Sequence, residues 1–173
     1  QAAHVMLPPI ASTDTRPDFP APAGWTAIRK LVIKDLLRHN VYVRVAEATE
    51  VASYTWKVTS SRRLPGGIPT LAGVDTAAPV DAEDGATNLS SKDVRAPGVT
   101  TTVPNTRLVH LAAVAAEGTL SPPAGMTESW EAQAFNSSTK NDVLASLSSA
   151  VQDAAGPTGD RVGAASKPGK SAG

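Results

Sequence analysis

The sequence predicts an all-β protein, an antiparallel β-sandwich of the jelly-roll or concanavalin-like type. Short segments with period-two alternation recur along the chain, as expected for strands that bury one face. Turns rich in Gly, Pro, Asn and Asp separate about eight or nine such segments, a spacing typical of sandwiches and barrels. Long irregular connections over 8–22 and 75–98 suit strands that cross between two sheets.

The clearest strand signals lie in the first half. In NVYVRVAEA (40–48), three valines occupy alternate positions, and in SYTWKVTS (53–60) Tyr54, Trp56 and Val58 do the same. β-branched and aromatic residues at alternate positions favour a half-buried strand. Because only a short polar connector separates the two segments, we expect them to be adjacent antiparallel strands.

Further strands are expected where alternation returns, at WTAIRKLVIK (25–34), GGIPTLAGV (66–74), VTTTV (99–103), TRLVHLAAVAA (106–116) and TESWEAQAF (127–135). The segment NDVLASLSSAVQDA (141–154) fits a helix through four-residue spacing and a strand through alternation; its Ser-rich filling favours the strand. The proline-rich stretch 7–22 is expected to be a loop. We therefore expect one sandwich domain over 1–165 and a flexible or linker-like tail over 166–173.

A short phrase occurs twice, as APAGWTAIRK (21–30) and SPPAGMTESWEA (121–132). Proline at the second position and glycine at the fourth favour a type I turn. The large apolar residue that follows, Trp25 or Met126, is expected to pack under the turn, and the next threonine to begin an exposed strand. The repeated unit is then strand, polar loop, turn and strand.

Composition excludes several classes of function. The chain has 173 residues, with 16 Lys plus Arg balancing 16 Asp plus Glu, so it lacks the basic excess typical of nucleic-acid binders. The absence of cysteine excludes disulfides and thiolate chemistry, and no apolar run approaches the ~20 residues of a membrane span. No HExxH, GxSxG or phosphate-loop motif is present, so we do not expect an enzyme.

Two sets of residues are candidate sites. The acidic stretch GVDTAAPVDAEDG (73–85) supplies hard oxygen ligands of the kind calcium prefers, from Asp75, Asp81, Glu83 and Asp84. A carbohydrate would instead stack on exposed indoles, for which the candidates are Trp25, Trp56 and Trp130. Of the three histidines, His39 is expected beside a turn and His110 within a strand, with neither in a metal site.

Five phrases occur in an order that resembles a family of bacterial and phage modules: PAGWTAIR, VYVRVAEATEVASYTWKVTSS, GGIPTLAGVDTAAPVDAEDGAT, APGVTTTVPNTRLVHLAAVA and SPPAGMTESWEA, followed by AAGPTGDR. These are β-sandwich modules of secreted and surface proteins of bacteria and of minor tail or fibre-type proteins of actinobacterial phages. The resemblance implies a concanavalin-like or jelly-roll accessory module without catalytic residues. It also implies one further strand before His4 and another after SKPGKSAG. Their absence would leave a sheet edge open to strand donation.

The expected function is therefore a non-catalytic structural or adhesive module of a virion or bacterial surface assembly, acting through protein–protein interfaces. The expected partners are other subunits of that assembly, including further copies of this chain, rather than nucleic acid or a membrane interior. The alternative is a calcium-assisted carbohydrate-binding module that recognises a surface glycan. Both hypotheses place the protein outside the cell, on the cell surface or in a virion.

Overall fold

A computed structural model describes residues 4–13, 18–57, 64–134 and 142–173. Within these residues the regular structure consists of thirteen strands: β1 (His4–Met6), β2 (Pro9–Ser12), β3 (Thr26–Ile33), β4 (Leu37–Val45), β5 (Thr70–Ala72), β6 (Thr87–Ala96), β7 (Thr100–Thr101), β8 (Thr106–Val114), β9 (Leu120–Ser121), β10 (Thr127–Ala134), β11 (Val143–Gln152), β12 (Gly156–Pro157) and β13 (Arg161–Ala172). The all-β prediction is confirmed. No helix in the described part of the chain is long and apolar enough to cross a membrane.

The strands form two main antiparallel sheets in a sandwich-like arrangement. In the first sheet, β4 lies between β3 on one side and β1 with β2 on the other, and β5 pairs with β1. The second sheet has the order β10-β11-β8-β13-β6, with β9 paired to β13. Strands β7 and β12 form a small separate ribbon.

Strands β1 and β2 behave as one strand that two prolines interrupt. Both keep the same register against β4, and the Tyr42 N–H donates to the Pro8 carbonyl at 3.2 Å between them. The break arises because Pro8 and Pro9 have no N–H to donate to a ladder. On the other side, residues 64–72 run alongside in one register, with N–H groups of Leu7 and Ala11 donating to prolyl carbonyls.

The repeated phrase forms the same turn twice, one residue later than expected. The N–H of Trp25 donates to the Pro22 carbonyl at 3.2 Å, and that of Met126 to the Pro123 carbonyl at 3.0 Å. Proline is thus the first residue of each turn, and the third is Gly24 or Gly125, with φ of 81° and 75°. A positive φ at the third position is that of a type II turn rather than the type I turn expected.

The residues that follow each turn behave as predicted. Trp25 and Met126 are both 7% exposed beneath their turns, and the threonines after them are exposed and begin β3 and β10. Both strands then contain a register shift, between Ala27 and Arg29 in β3 and between Glu128 and Trp130 in β10. The phrase therefore encodes a turn, a buried plug and a bulged strand.

The repeat extends to the sheets. The order β3, β4, β1 with β2, and β5 in the first sheet matches β10, β11, β8 and β13 in the second. Leu37 pairs with the last residue of β3, and Val143 pairs with the last residue of β10, so the two occupy the same place in their hairpins. Two residues further along, the cross-strand partners are Ala11 in one sheet and Ala113 in the other.

These equivalent residues meet between the two sheets, at one end of the sandwich. Leu37, Val143, Ala11 and Ala113 belong to one buried cluster, together with Ala145 and Ala172. Each is at most 1% exposed, and four of the six are alanines. Because alanine projects little from a pleated sheet, the backbones come closest at this end of the sandwich.

Both sheets are also covered on their outer faces. A second cluster joins Ala112 and Val114 of β8 and Leu144 of β11 to Val94 of β6 and Ala165 of β13. A third joins Met6, Ile10 and Tyr42 to Phe19 and Trp25, which come from the segment before β3. Strand β4 is therefore buried on both faces, although its alternation was predicted from one buried face.

Three expected loops or tails contain strands, and one expected strand is irregular. The stretch 7–22 contains β2, and 75–98 contains all of β6. Residues 166–172, expected in a linker-like tail, instead form the second half of β13. Residues 53–57 form no strand because Tyr54 and Trp56 pack on Trp25 rather than on a neighbouring strand; residues 58–60 lie outside the described part.

The strands nearest the two chain ends are internal. β1 has partners on both sides, and β13 lies between β8 and β6. The unpaired edge expected beside the chain ends, where a donated strand would add, is therefore not present. The open edges of this sandwich lie elsewhere.

The two turn glycines provide a matched pair of mutations. We expect Gly125→Ala to destabilise the fold by about 1 kcal/mol, because alanine is strained at a positive φ while no atom lies within 4 Å of the added methyl. Gly24→Ala is expected to cost more, since its methyl would overlap the Arg44 guanidinium, which pairs with Glu47 and Glu50. Urea unfolding of the two variants measures the difference in their free energies of unfolding. Equal losses of stability would show that the overlap with Arg44 adds no cost at position 24.

Candidate functional site

A cavity of about 500 Å³ opens between the two sheets at the end opposite the alanine cluster. Two strands run from the alanine cluster into the cavity. On β4, Leu37 of the cluster is followed by His39 and Val41 of the cavity lining, and on β8 Ala113 is preceded by Leu111. The apolar wall of the cavity includes Val5, Leu7, Leu31, Val41, Leu71 and Leu111. The volume lies within the range of small-molecule pockets, about 300–1,000 Å³.

His39 lies at the inner end of this cavity, where the sheets begin to separate. Its side chain is on the inner face of β4, two residues from Leu37 of the core and two from Val41 of the cavity wall. The residue is 1% exposed, and neither ring nitrogen has a hydrogen-bond partner. Burial lowers the pKa of His39 to about 4, and the nearby His110 adds to this effect. The imidazole is therefore neutral at pH 7, with one donor and one acceptor unused.

His110 is the second buried histidine beside the cavity. It is 4% exposed, interacts through its ring with the backbone of Val94 on β6, and leaves Nε2 without a partner. Burial lowers its pKa to about 4 as well. Thus the two imidazoles nearest the cavity are both uncharged at neutral pH.

The acidic loop forms the roof of the cavity. Arg29 of β3 holds it through Glu83, with Nε–Oε2 at 2.7 Å, and through Asp84, with Nη2–Oδ1 at 3.2 Å. Asp81 instead accepts the backbone N–H of Thr102 at 2.8 Å and the hydroxyl of the same residue, which lowers the pKa of its carboxyl. These contacts attach the loop to the first sheet and to the segment that follows β7.

The four predicted calcium ligands are engaged separately. Asp75 accepts the backbone N–H of Ala77 at 2.9 Å, while the other three bind Arg29 or Thr102. Within the described ranges, no three His, Cys, Asp or Glu side chains lie close enough together to hold a metal ion. The structure therefore does not bring the four carboxylates together as a ligand set, and calcium binding stays a prediction.

The three tryptophans do not share a surface. Trp25 is buried, with its ring centroid 5.0 Å from Tyr54 and 5.3 Å from Trp56, on the outer face of the first sheet. Trp130 lies on β10 in the other sheet, is partly buried and packs against the alanine cluster at one end of the sandwich. The set predicted to stack on a sugar is thus divided between the outer face of the first sheet and a strand of the second.

The mouth of the cavity is apolar and exposed. Three of its residues, Val80, Val103 and Val151, are 37%, 50% and 55% exposed. They come from the acidic loop, the segment after β7 and the end of β11, which meet only in the fold. This site was not predicted from the sequence. The one feature of the sequence that indicates it is that His39 occupies an alternate position in line with Val41 and Val43, so that its side chain is expected on the same face of the strand.

The buried histidines predict a specific acid sensitivity. Their folded pKa values of about 4 lie below the unfolded value of 6.5, so the unfolded chain binds protons first. The stabilisation from keeping both rings neutral is complete above pH 6.5 and is lost as the pH falls towards 4, by up to about 3 kcal/mol per ring. Urea unfolding between pH 7 and 4.5 measures this loss.

His39→Leu tests the assignment. The variant is expected to lose about half of the dependence between pH 6.5 and 4.5 and to be more stable at pH 7, because it removes an unpaired buried polar group. A slope identical to that of the unaltered protein would show that His39 is hydrated or protonated in the folded state.

Comparisons of this chain with protein-family models, with curated proteins and with solved structures found no match. The resemblance to bacterial and phage β-sandwich modules is therefore a prediction from the quoted phrases.

Proposed function

We propose that this chain is a non-catalytic structural or adhesive module of an extracellular assembly, on a bacterial surface or in a virion, and that it acts through protein–protein interfaces. The observation that carries the proposal is an unprotected sheet edge at the start of β6. The jelly-roll or concanavalin-like assignment belongs to the same proposal, and the two antiparallel layers support it.

The other sheet edges carry features that oppose strand addition. Charged side chains and prolines on an edge discourage a second chain from pairing with it. In the described residues, β3, β10 and the segment 64–72 each have a strand partner on one side only. Their protecting residues are, in that order, Arg29 and Lys30, Glu128 and Glu131, and Pro65 and Pro69.

Strand β6 is protected over only half of its length. It pairs with β13 alone among the described strands, so its outer edge is open. Lys92, Asp93 and Arg95 protect its second half, whereas residues 87–91, TNLSS, contain neither charge nor proline. Leu89 in that stretch is 81% exposed, more than any other large apolar residue described.

An exposed leucine on an uncharged edge favours addition of a strand from another subunit. Backbone hydrogen bonds would supply part of the affinity, and a pocket for Leu89 on the partner would supply specificity. The simplest partner is a second copy of this chain, whose own residues 87–91 would pair antiparallel about a two-fold axis.

The glycan-binding alternative receives no comparable support. An aromatic platform needs exposed rings in one plane, whereas Trp25 is buried and Trp130 lies on the other sheet. Carbohydrate recognition stays a prediction from the sequence.

Self-association through β6 can be measured by light scattering at micromolar concentrations, with and without calcium. We expect a dimer for the unaltered chain and a monomer for Leu89→Lys, because the lysine introduces charge repulsion at the pairing edge. Val51→Lys is the matched control: Val51 is 61% exposed but lies outside every strand, so this variant should remain dimeric. A monomeric unaltered chain, or equal dimerisation of all three, would contradict pairing through residues 87–91.

A further inference from the structure

We propose that the cavity between the sheets binds a small, uncharged, mainly apolar molecule that carries a hydroxyl group, and that the imidazole of His39 forms a hydrogen bond with this hydroxyl. The inference is independent of the β6 interface, because the cavity lies between the sheets and β6 presents an outer edge. It assigns a ligand site in addition to the proposed assembly role.

The cavity has the size and lining of a ligand site. Its volume of about 500 Å³ is many times that of a single water, and its walls come from aliphatic side chains of both sheets. An apolar molecule would replace water along these walls. It would also give the aliphatic side chains the van der Waals contacts that they lack because the two sheets are separated here.

His39 supplies an unused polar contact at the inner end, on the first sheet; the other unpartnered polar atoms of the lining, Thr106 Oγ1, His110 Nε2 and Arg161 Nε, lie on β8 and β13 of the second sheet. A buried polar group without a partner costs free energy, which is why such groups are rare in native structures. The neutral imidazole of His39 has one N–H donor and one nitrogen acceptor, both unpartnered. A hydroxyl is both donor and acceptor, so it can satisfy either tautomer of the ring.

Three carboxylates in the roof of the cavity are already engaged, and the walls around His39 are aliphatic. Glu83 and Asp84 in the roof are paired with Arg29, and Asp81 is bound to Thr102. Arg107 and Arg161 also line the cavity, on β8 and β13 of the second sheet, whereas His39 lies on the first. A charged ligand bound at His39 would lose its hydration against the aliphatic walls, which is costly.

The mouth offers a route of entry. Val80, Val103 and Val151 present exposed apolar surface where the cavity meets solvent. A ligand with an apolar body would contact these residues first, and its hydroxyl would then reach the imidazole at the inner end.

The test uses 2-naphthol as the probe and naphthalene as the matched molecule without a hydroxyl. The full chain, labelled with ¹⁵N at histidine and tryptophan, is titrated with each at pH 7 while the ring signals are followed by NMR. We expect saturable shifts of the His39 ring nitrogens and about tenfold tighter binding of 2-naphthol. The indole signal of Trp25, on the outer face, should not move.

His39→Leu identifies the contact. This variant should still bind naphthalene, but its preference for 2-naphthol should fall to about onefold. Failure of the His39 signals to saturate with either probe, equal affinities in the unaltered chain, or a preference retained in His39→Leu would each overturn the proposal. If the variant does not fold, the ring shifts and affinity ratio of the unaltered protein decide the question.

Discussion

The contact between alanines at one end of the sandwich determines the shape of the rest. Ala11 and Ala113 lie at equivalent positions in the two sheets and meet in one fully buried cluster with Leu37 and Val143. Side chains this small bring the backbones together there, whereas the residues further along the same strands are larger and hold the sheets apart. A sandwich closed at one end and open at the other follows, and the open end becomes the cavity.

The internal repeat explains both the likeness and the difference between the two sheets. Each half uses a type II turn, a buried plug and a bulged strand to begin its hairpin. The halves differ at the residue that pairs with the central alanine of the neighbouring strand: His39 of β4 pairs with Ala11, whereas Ala145 of β11 pairs with Ala113. Ala145 completes the core, whereas His39 places an unpaired imidazole beside the cavity. The asymmetry of an otherwise repeated pattern thus coincides with the candidate site.

Alternation predicted β3, β4, β8 and β10 because each has β-branched or large residues on a buried or half-buried face. It could not predict the second half of β13, where SKPGKSA (166–172) has no apolar period and small residues such as Ala172 are held by neighbouring strands. It also misplaced Tyr54 and Trp56, since aromatic residues alternate equally well when they pack on Trp25 from a loop. The cavity depends on the spacing between sheets, which no local pattern encodes.

The unpaired ring nitrogens of His39 reduce the stability of the fold, and an apolar residue at this position would not. A leucine at this position would continue the apolar wall between Leu37 and Val41, and would remove both the unsatisfied nitrogens and the acid sensitivity they cause. Natural sequences break such local rules mainly where a site requires it. Since the surrounding wall is aliphatic and the carboxylates of the roof are already engaged, the requirement is for a neutral hydrogen-bonding partner. Binding a hydroxyl at the inner end of the cavity meets that requirement with the residues present.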